Sequence, residues 1–477
     1  MTGETKKYDL VVIGGGPAGI MAATTAGALH KTVALVNCHN ELGGAGINTG
    51  TVPSKTLRET ALALSGLKSR NLYGVDLSLR REVTLNDFLG HEQKVKTGFN
   101  LFLSQQLATQ KADVYYGVGI FMDSHTIRVG PLQTSSEVNP SATGKGDFLL
   151  QGSSILIATG SSPVRPELFP FGHGEIYDSD SILKLDRIPK TLAVIGAGVV
   201  GSEYACTFSA LGSQVHIIDG RDVLLPFLDV EVSRALVGAI EHSGVTFHWK
   251  EMVLQCLVLE SGAVTLKLSS GASLTVDAVL VAAGRKSNTE HLELSLAGVA
   301  LGKRGIIPVN EDYRTNVEHI YASGDVIGFP ALASTSMEQA RRAVRHAFGL
   351  KAANLSPLLP NGIYTIPEVS MVGETEESLQ KNQIDYVVGR ARYADNGRGR
   401  IIGDETGFLK LLFRRSDMQL LGVHVMGELA TEIIHIGLIA MLADRSADLF
   451  VETCFNTPTL SSLYKSAALN AIQNVGL

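Results

Sequence analysis

The chain has 477 residues, 45% hydrophobic and 18% charged with 50 glycines, the composition of a core-forming α/β protein with about three domains. Its net charge of −6, with no block of like charges, argues against nucleic acid or an anionic membrane as partner. The four cysteines (Cys38, Cys206, Cys256, Cys454) have no metal-ligand or CxxC spacing, so no metal is expected and a reducing, cytoplasmic setting is. Apolar runs such as Ile433 to Ala443 fall short of the roughly 20 residues that cross a bilayer. The short run after Lys6-Lys7 lacks the length and cleavage site of a signal peptide.

In chain order, Tyr8 to Ile13 is a β-branched run of strand length. Gly14-Gly15-Gly16-Pro17-Ala18-Gly19 follows, then a small-residue helical stretch and a second strand, Thr32 to Val36. This is the strand–turn–helix–strand context that gives GxGxxG its meaning. Gly14 allows the sharp turn, Gly16 lets backbone approach a pyrophosphate, and Gly19 lets the helix pack on the strand, with helix N–H groups facing the phosphate. Pro53 fits the first turn of a further helix. The pattern recurs at Thr191 to Ile195, with Gly196, Gly198 and Gly201, and ends in the strand Gln214 to Asp219. Gly14 to Asn37 and Gly196 to Asp219 span the same interval, which places Asn37 and Asp219 at the adenosine-ribose position of two matched units. Asp219 favours NAD(H), because a carboxylate binds a free 2′-hydroxyl and repels a 2′-phosphate; Arg221 offsets that repulsion for NADP(H). Alternatively, Asp219 and Arg221 are a plain surface ion pair. Two dinucleotide sites suggest an electron relay with one nucleotide held and the other exchanged. Towards the end come strands at Phe408–Phe413 and Leu421–Val425 and a helix-like stretch from Ile433 to Leu442.

Several segments are more specific than the glycine fingerprints. They are Gly43 to Arg58, Ile157-Ala158-Thr159-Gly160, Tyr177 to Leu183, Ala282 to Arg285, Tyr321 to Gly328, Gly362 to Glu368, Ala430 to Gly437 and Phe455 to Thr459. Through them the chain resembles the flavin-dependent pyridine nucleotide–disulfide reductases and, more narrowly, the soluble pyridine nucleotide transhydrogenases. The resemblance implies an α/β, glutathione-reductase-like fold of two Rossmann-like domains plus a C-terminal α+β dimerisation domain. Residues 1–160 and 286–350 would bind FAD, 161–285 NAD or NADP, and 351–477 would form a homodimer. It further implies cofactor contacts from Gly44, Thr51, Thr159, Gly160, Gly284, Gly324, Asp325, Ala331 and Leu332. Lys55 would lie near flavin N5, paired with Glu203.

Three departures refine this expectation. Gly46 and Thr51 stand where the family's redox cysteines would be, so a disulfide reductase is not expected. Thr457 and Ser462 stand where the family carries its His and Glu, and neither is a useful base near neutral pH. Asn37 replaces the usual ribose acid, which suggests weaker FAD binding. The expected activity is therefore hydride exchange between NADPH and NAD+ through FAD. The alternatives are an NAD(P)H dehydrogenase acting on quinones and a catalytically silent flavin-binding protein.

Overall fold

A computed structural model describes residues 5–66, 84–131, 148–173, 175–351 and 355–475. The chain divides into two compact units: residues 1–56, 90–164 and 284–355 form one, and 57–89, 165–283 and 356–477 the other. The expected boundary near residue 350 adjoins residues 352–354, which lie outside the described residues.

In the first unit, β1 (Thr5–Ile13) leads into α1 (Pro17–Ala28) and β2 (Val33–Asn37), followed by α2 (Gly44–Asn48), α3 (Thr51–Ser65) and α4 (Leu85–Thr109). The division between the units falls after Thr56 on α3 and after Leu89 on α4. Then come β3 (Asp113–Tyr116), β4 (Val118–Phe121), β5 (Thr126–Gly130) and β6 (Phe148–Ile157). The sheet order is β3-β2-β1-β6-β5-β4, and β17 (Ile320–Ala322) pairs with the other end of β6. Strands β3, β2, β1, β6 and β17 are parallel; β4 and β5 run antiparallel. Side chains alternate across a strand. On β1, Leu10 and Val12 pack with the alanines of α1 and with α7 (Ala333–Ala347), while Val11 and Ile13 join Phe121, Ile127 and Val129 on the opposite face. Burial on both faces is why β1 reads as an unbroken apolar run. A small antiparallel pair, β7 (Ser161–Pro163) with β16 (Arg285–Ser287), completes this unit.

The second unit repeats the plan. It contains β8 (Ile176–Asp178), β9 (Thr191–Ile195), α5 (Val199–Ala210), β10 (Gln214–Asp219), α6 (Val230–His242), β11 (Thr246–Trp249) and β15 (Ala278–Val281). Its parallel sheet has the order β11-β10-β9-β15-β8, the counterpart of β3-β2-β1-β6-β17. An antiparallel meander, β12 (Val253–Val258), β13 (Val264–Leu268) and β14 (Ser273–Val276), precedes β15 as β4 and β5 precede β6.

The same unit holds a five-stranded antiparallel sheet in the order β18-β19-β22-β21-β20. Its strands are β18 (Asn361–Ile363), β19 (Val369–Gly373), β20 (Tyr386–Arg392), β21 (Phe408–Arg414) and β22 (Leu420–Met426). Short helices α8 (Glu376–Lys381), α9 (Gly397–Ile402) and α11 (Ala447–Glu452) connect the elements, while α10 (Ala430–Leu442) and α12 (Leu463–Val475) cover one face over Leu409, Leu411, Val423 and Val425. The strands expected at 408–413 and 421–425 and the helix at 433–442 are all present. Among the described residues, no helix is long and apolar enough to cross a membrane.

Lys410 on β21 is buried, with 1% of its side chain exposed. Its ammonium lies 2.7 Å from Asp229, the N-cap of α6, 2.8 Å from Glu231 and 2.5 Å from Glu376 on α8. Among the described residues these three carboxylates are the one group spaced closely enough to hold a metal ion. The Lys410 ammonium bridges all three. Burial works against the charges, yet the ion pairs outweigh it and hold Asp229 and Glu231 below their ordinary 3.8 and 4.5 and Lys410 above 10.5. The depressed acids contribute stability above those ordinary values and lose it as pH falls; the raised lysine contributes below 10.5 and loses it at higher pH. Lys410→Met should lower unfolding free energy by about 3–5 kcal/mol at neutral pH, because it strands the buried Asp229 carboxylate, and should flatten the fall in stability below pH ~5. Denaturant melts of both proteins at several pH values measure this.

Candidate dinucleotide sites and the α2–α3 junction

Both glycine fingerprints have the same construction. Gly14 has a φ of +113°, and a Cβ there would stand 2.2 Å from the Ala158 carbonyl oxygen; Gly196, at +106°, would place one 2.7 Å from that of Ala282. A Cβ on Gly19 would lie 1.7 Å from the Gly14 oxygen, and one on Gly201 2.0 Å from the Gly196 oxygen. The middle glycines face open space: Gly198 meets nothing within 4 Å and Gly16 only the Gly44 Cα at 3.9 Å. The outer glycines therefore close helix onto strand, and the middle one leaves room where unpaired N–H groups at the helix start face an anion. These cradles fit the pyrophosphate of a dinucleotide.

The first unit brings most of its expected residues to the start of α1. A Cβ on Gly44 would lie 2.8 Å from the Gly16 Cα, and Gly324, at φ +79°, lies beside Ala18. Gly324 donates its N–H to Gln339 Oε1, and Asp325 accepts from Ser161 Oγ at 2.7 Å. Arg285 in turn donates to Ser161 Oγ at 2.8 Å. Thr159 exchanges two hydrogen bonds with Asn288, and Gly160 (φ +70°) follows it, as Gly284 (φ +102°) follows β15. Leu332 caps α7; Ala331 before it and Thr51 at the start of α3 are exposed. Ser161, Asn288 and Gln339 were not singled out in the sequence. They reach Thr159, Gly324 and Asp325 across the fold, and no local spacing announces them.

Asn37 ends β2 and is 2% exposed. Its amide nitrogen donates to the carbonyls of His39 at 2.7 Å and Glu41 at 2.9 Å, and its oxygen faces Gly15. Asp219, its counterpart, accepts from the Ala197 N–H at 2.7 Å and binds Arg221 through Nε and Nη2 at 2.9 and 2.7 Å. Burial raises the Asp219 carboxyl, but these bonds outweigh it and bring it down to about 2. The ion pair set out as the alternative for Asp219 and Arg221 is thus formed.

Lys55, half-buried on α3, lies 3.3 Å from Ser54 Oγ in the first unit. Glu203, buried on α5 of the second unit, accepts the Tyr364 N–H at 2.9 Å. Gly46 is buried on α2, where a Cβ would press the Pro17 ring at 2.7 Å. Thr457 is exposed. Ser462 receives a hydrogen bond from Asn396, the N-cap of α9, and donates to the Thr459 carbonyl. All four cysteines are free.

Two sheets with parallel cores, each with an open glycine cradle and a polar side chain closing its second strand, define a protein whose two units each fit a dinucleotide. Residues 8–347 match the model of the pyridine nucleotide-disulphide oxidoreductases, and residues 359–468 match that family's dimerisation domain. The chain belongs to this family. Membership implies a flavin nucleotide and a nicotinamide nucleotide, and the dimerisation domain supports a second copy of the chain as partner. The chain is 44% identical over 470 residues to proteins named soluble pyridine nucleotide transhydrogenase from Mycobacterium bovis and Mycobacterium tuberculosis, covering 98% of each chain. A protein of that name from Marinomonas sp. is 37% identical over 474 residues, with 99% of each covered. The HOCl-induced flavoprotein disulfide reductase RclA from Escherichia coli superposes with a TM-score of 0.86 at 26% identity, over 97% of this chain and 99% of that one.

Asn37→Asp, a change toward the family's acid, should destabilise this protein by about 1–3 kcal/mol by setting oxygen against two carbonyl oxygens. It should not raise flavin retention. Thermal unfolding and the flavin-to-protein absorbance ratio check both points.

Proposed function

We propose that the chain is an FAD-dependent NAD(P) transhydrogenase that moves hydride between NADPH and NAD+, one nucleotide leaving before the other enters. The observation that carries this reading is the full-length likeness to soluble pyridine nucleotide transhydrogenases in a chain whose α2–α3 junction holds Gly46 and Thr51. With no thiolate there to form or attack a disulfide, the acceptor must come from outside.

The first cradle, with Asn37, Gly44, Thr159 and Asp325, would hold FAD. Bound FAD supplies the group on which hydride resides between the two nucleotide visits. Lys55 would place positive charge where negative charge develops, and Glu203 would orient that ammonium. The second cradle would hold the nicotinamide nucleotides in turn. Asp219 would accept from the free 2′-hydroxyl of NAD(H), and Arg221, released from Asp219, would meet the 2′-phosphate of NADP(H). Both nucleotides are used, NAD(H) the more tightly.

Purified protein should exchange hydride from NADPH to thio-NAD+. Turnover with a quinone and none with thio-NAD+ would instead make it a quinone-reducing dehydrogenase. Failure of anaerobic NADH to bleach a bound flavin would make it catalytically silent. Asp219→Ala should raise the KM for NADH about tenfold, the loss of one charge-assisted hydrogen bond, and leave that for NADPH equal or lower. Because the Asp219 carboxyl is held at about 2, it stays ionised throughout, and the NADH-to-NADPH preference should be flat between about pH 7.5 and 9, above the second ionisation of the 2′-phosphate near ~6. A preference that changes tenfold across that range would remove Asp219 from the selection.

A further inference from the structure

Arg58 lies one turn beyond Lys55 on α3 and is buried, as is Glu368. Arg58 Nε donates to the Thr365 carbonyl at 3.0 Å, and its Nη1 donates to Glu59 Oε1 at 2.5 Å and lies 3.3 Å from Glu368 Oε1. Glu368 accepts at its other oxygen from Thr431 Oγ1 at 3.0 Å, at the start of α10, and its carbonyl accepts from the Gly427 N–H. Thr365, fully buried, donates its hydroxyl to the Pro367 carbonyl. The segment Tyr364–Ile366 is thus gripped on one side by Arg58.

Its other side is held by α5. The Tyr364 N–H donates to Glu203 Oε1 at 2.9 Å, and the Ile366 N–H faces the Cys206 thiol, one helical turn further along. Residues 364 and 366 therefore serve α5, while the Thr365 carbonyl serves Arg58. Burial pushes the Cys206 thiol up to about 12, so it is a neutral packing group here. The Glu203 carboxylate is the group in this junction with chemistry to perform, and a buried carboxylate is oriented by the donors around it.

We propose that Arg58, paired with Glu59 and Glu368, is a positioning residue for hydride transfer: it holds the Tyr364–Ile366 segment and, through the Tyr364 N–H, sets the orientation of the Glu203 carboxylate. This deepens the proposed function and rests on the role given there to Glu203. Loss of the guanidinium releases the Thr365 carbonyl and leaves Glu368 with Thr431. Misplacement of catalytic groups by about 1 Å can cost 10²-fold in rate, so the expected effect falls on the rate of flavin reduction rather than on nucleotide affinity.

The test uses the flavin-loaded protein and its Arg58→Met, Arg58→Lys, Glu203→Gln and Arg58→Met/Glu203→Gln variants. Stopped-flow reduction by NADH should be slowed about 10- to 100-fold in Arg58→Met, with the NADH dissociation constant changed less than about threefold. Arg58→Lys, which keeps a charge and one donor, should recover part of the rate. Hydrogen exchange should show faster exchange of the Tyr364 and Ile366 amides in Arg58→Met, independently of turnover. In the double variant Arg58→Met should add no further slowing to Glu203→Gln. Fully multiplicative slowing would overturn the proposal, since Arg58 would then act as a structural staple and not through Glu203. An unchanged Arg58→Met rate beside a slowed Glu203→Gln would overturn it too. An unchanged Glu203→Gln rate would overturn instead the role of Glu203 on which the proposal stands. If Arg58→Met does not fold, the lysine variant and its combination with Glu203→Gln carry the same comparison.

Discussion

The dinucleotide sites depend on a contact in which there is no side chain at all. At the start of α1 and again of α5, the third glycine of the fingerprint lies so close to the carbonyl of the first that one methyl group would stand 1.7 and 2.0 Å from that oxygen. No rotamer change relieves a clash between Cβ and backbone. The pair of glycines therefore sets how closely each helix approaches its strand, and hence where its unpaired N–H groups point. The open middle glycine, the return of the chain after β6 and β15, and the polar residue ending β2 and β10 all take their places around that close approach.

The two units share this scaffold and differ in what closes it. Asn37 donates two hydrogen bonds to the loop that follows its strand, so its amide organises His39 to Glu41. Asp219 instead accepts, from the turn at Ala197 and from Arg221, whose side chain is 49% exposed. One arrangement is shut and self-contained. The other keeps a cation at the surface that can exchange one anionic partner for another. That difference in bonding is what a resident and an exchanging nucleotide would require.

On the proposed reading, Gly46, Thr51 and Ser462 would stand where the family's thiol chemistry lies. Gly46 lies against Pro17, where even a methyl would be tight, and Thr51 is an exposed first residue of α3. Ser462 is committed to Asn396 and Thr459, joining the N-cap of α9 to the turn before α12. Its hydroxyl thus serves the local hydrogen bonding around the α9 N-cap. Glu203 keeps a buried, oriented carboxylate, as a site that still moves hydride would require.

Local patterns determined the elements that build the cradles. The strands Tyr8–Ile13 and Thr191–Ile195, both fingerprints and the late strands at 408–413 and 421–425 were legible because glycine spacing and apolar runs are imposed by backbone sterics within a few residues. Tertiary structure alone decided the long-range polar partners. Asn288 serves Thr159 across 129 residues, Arg58 reaches Thr365 across 307, and Lys410 gathers Asp229 across 181. A buried charge or carbonyl accepts any well-placed donor that folding brings to it, so such pairings leave no periodic trace in the chain.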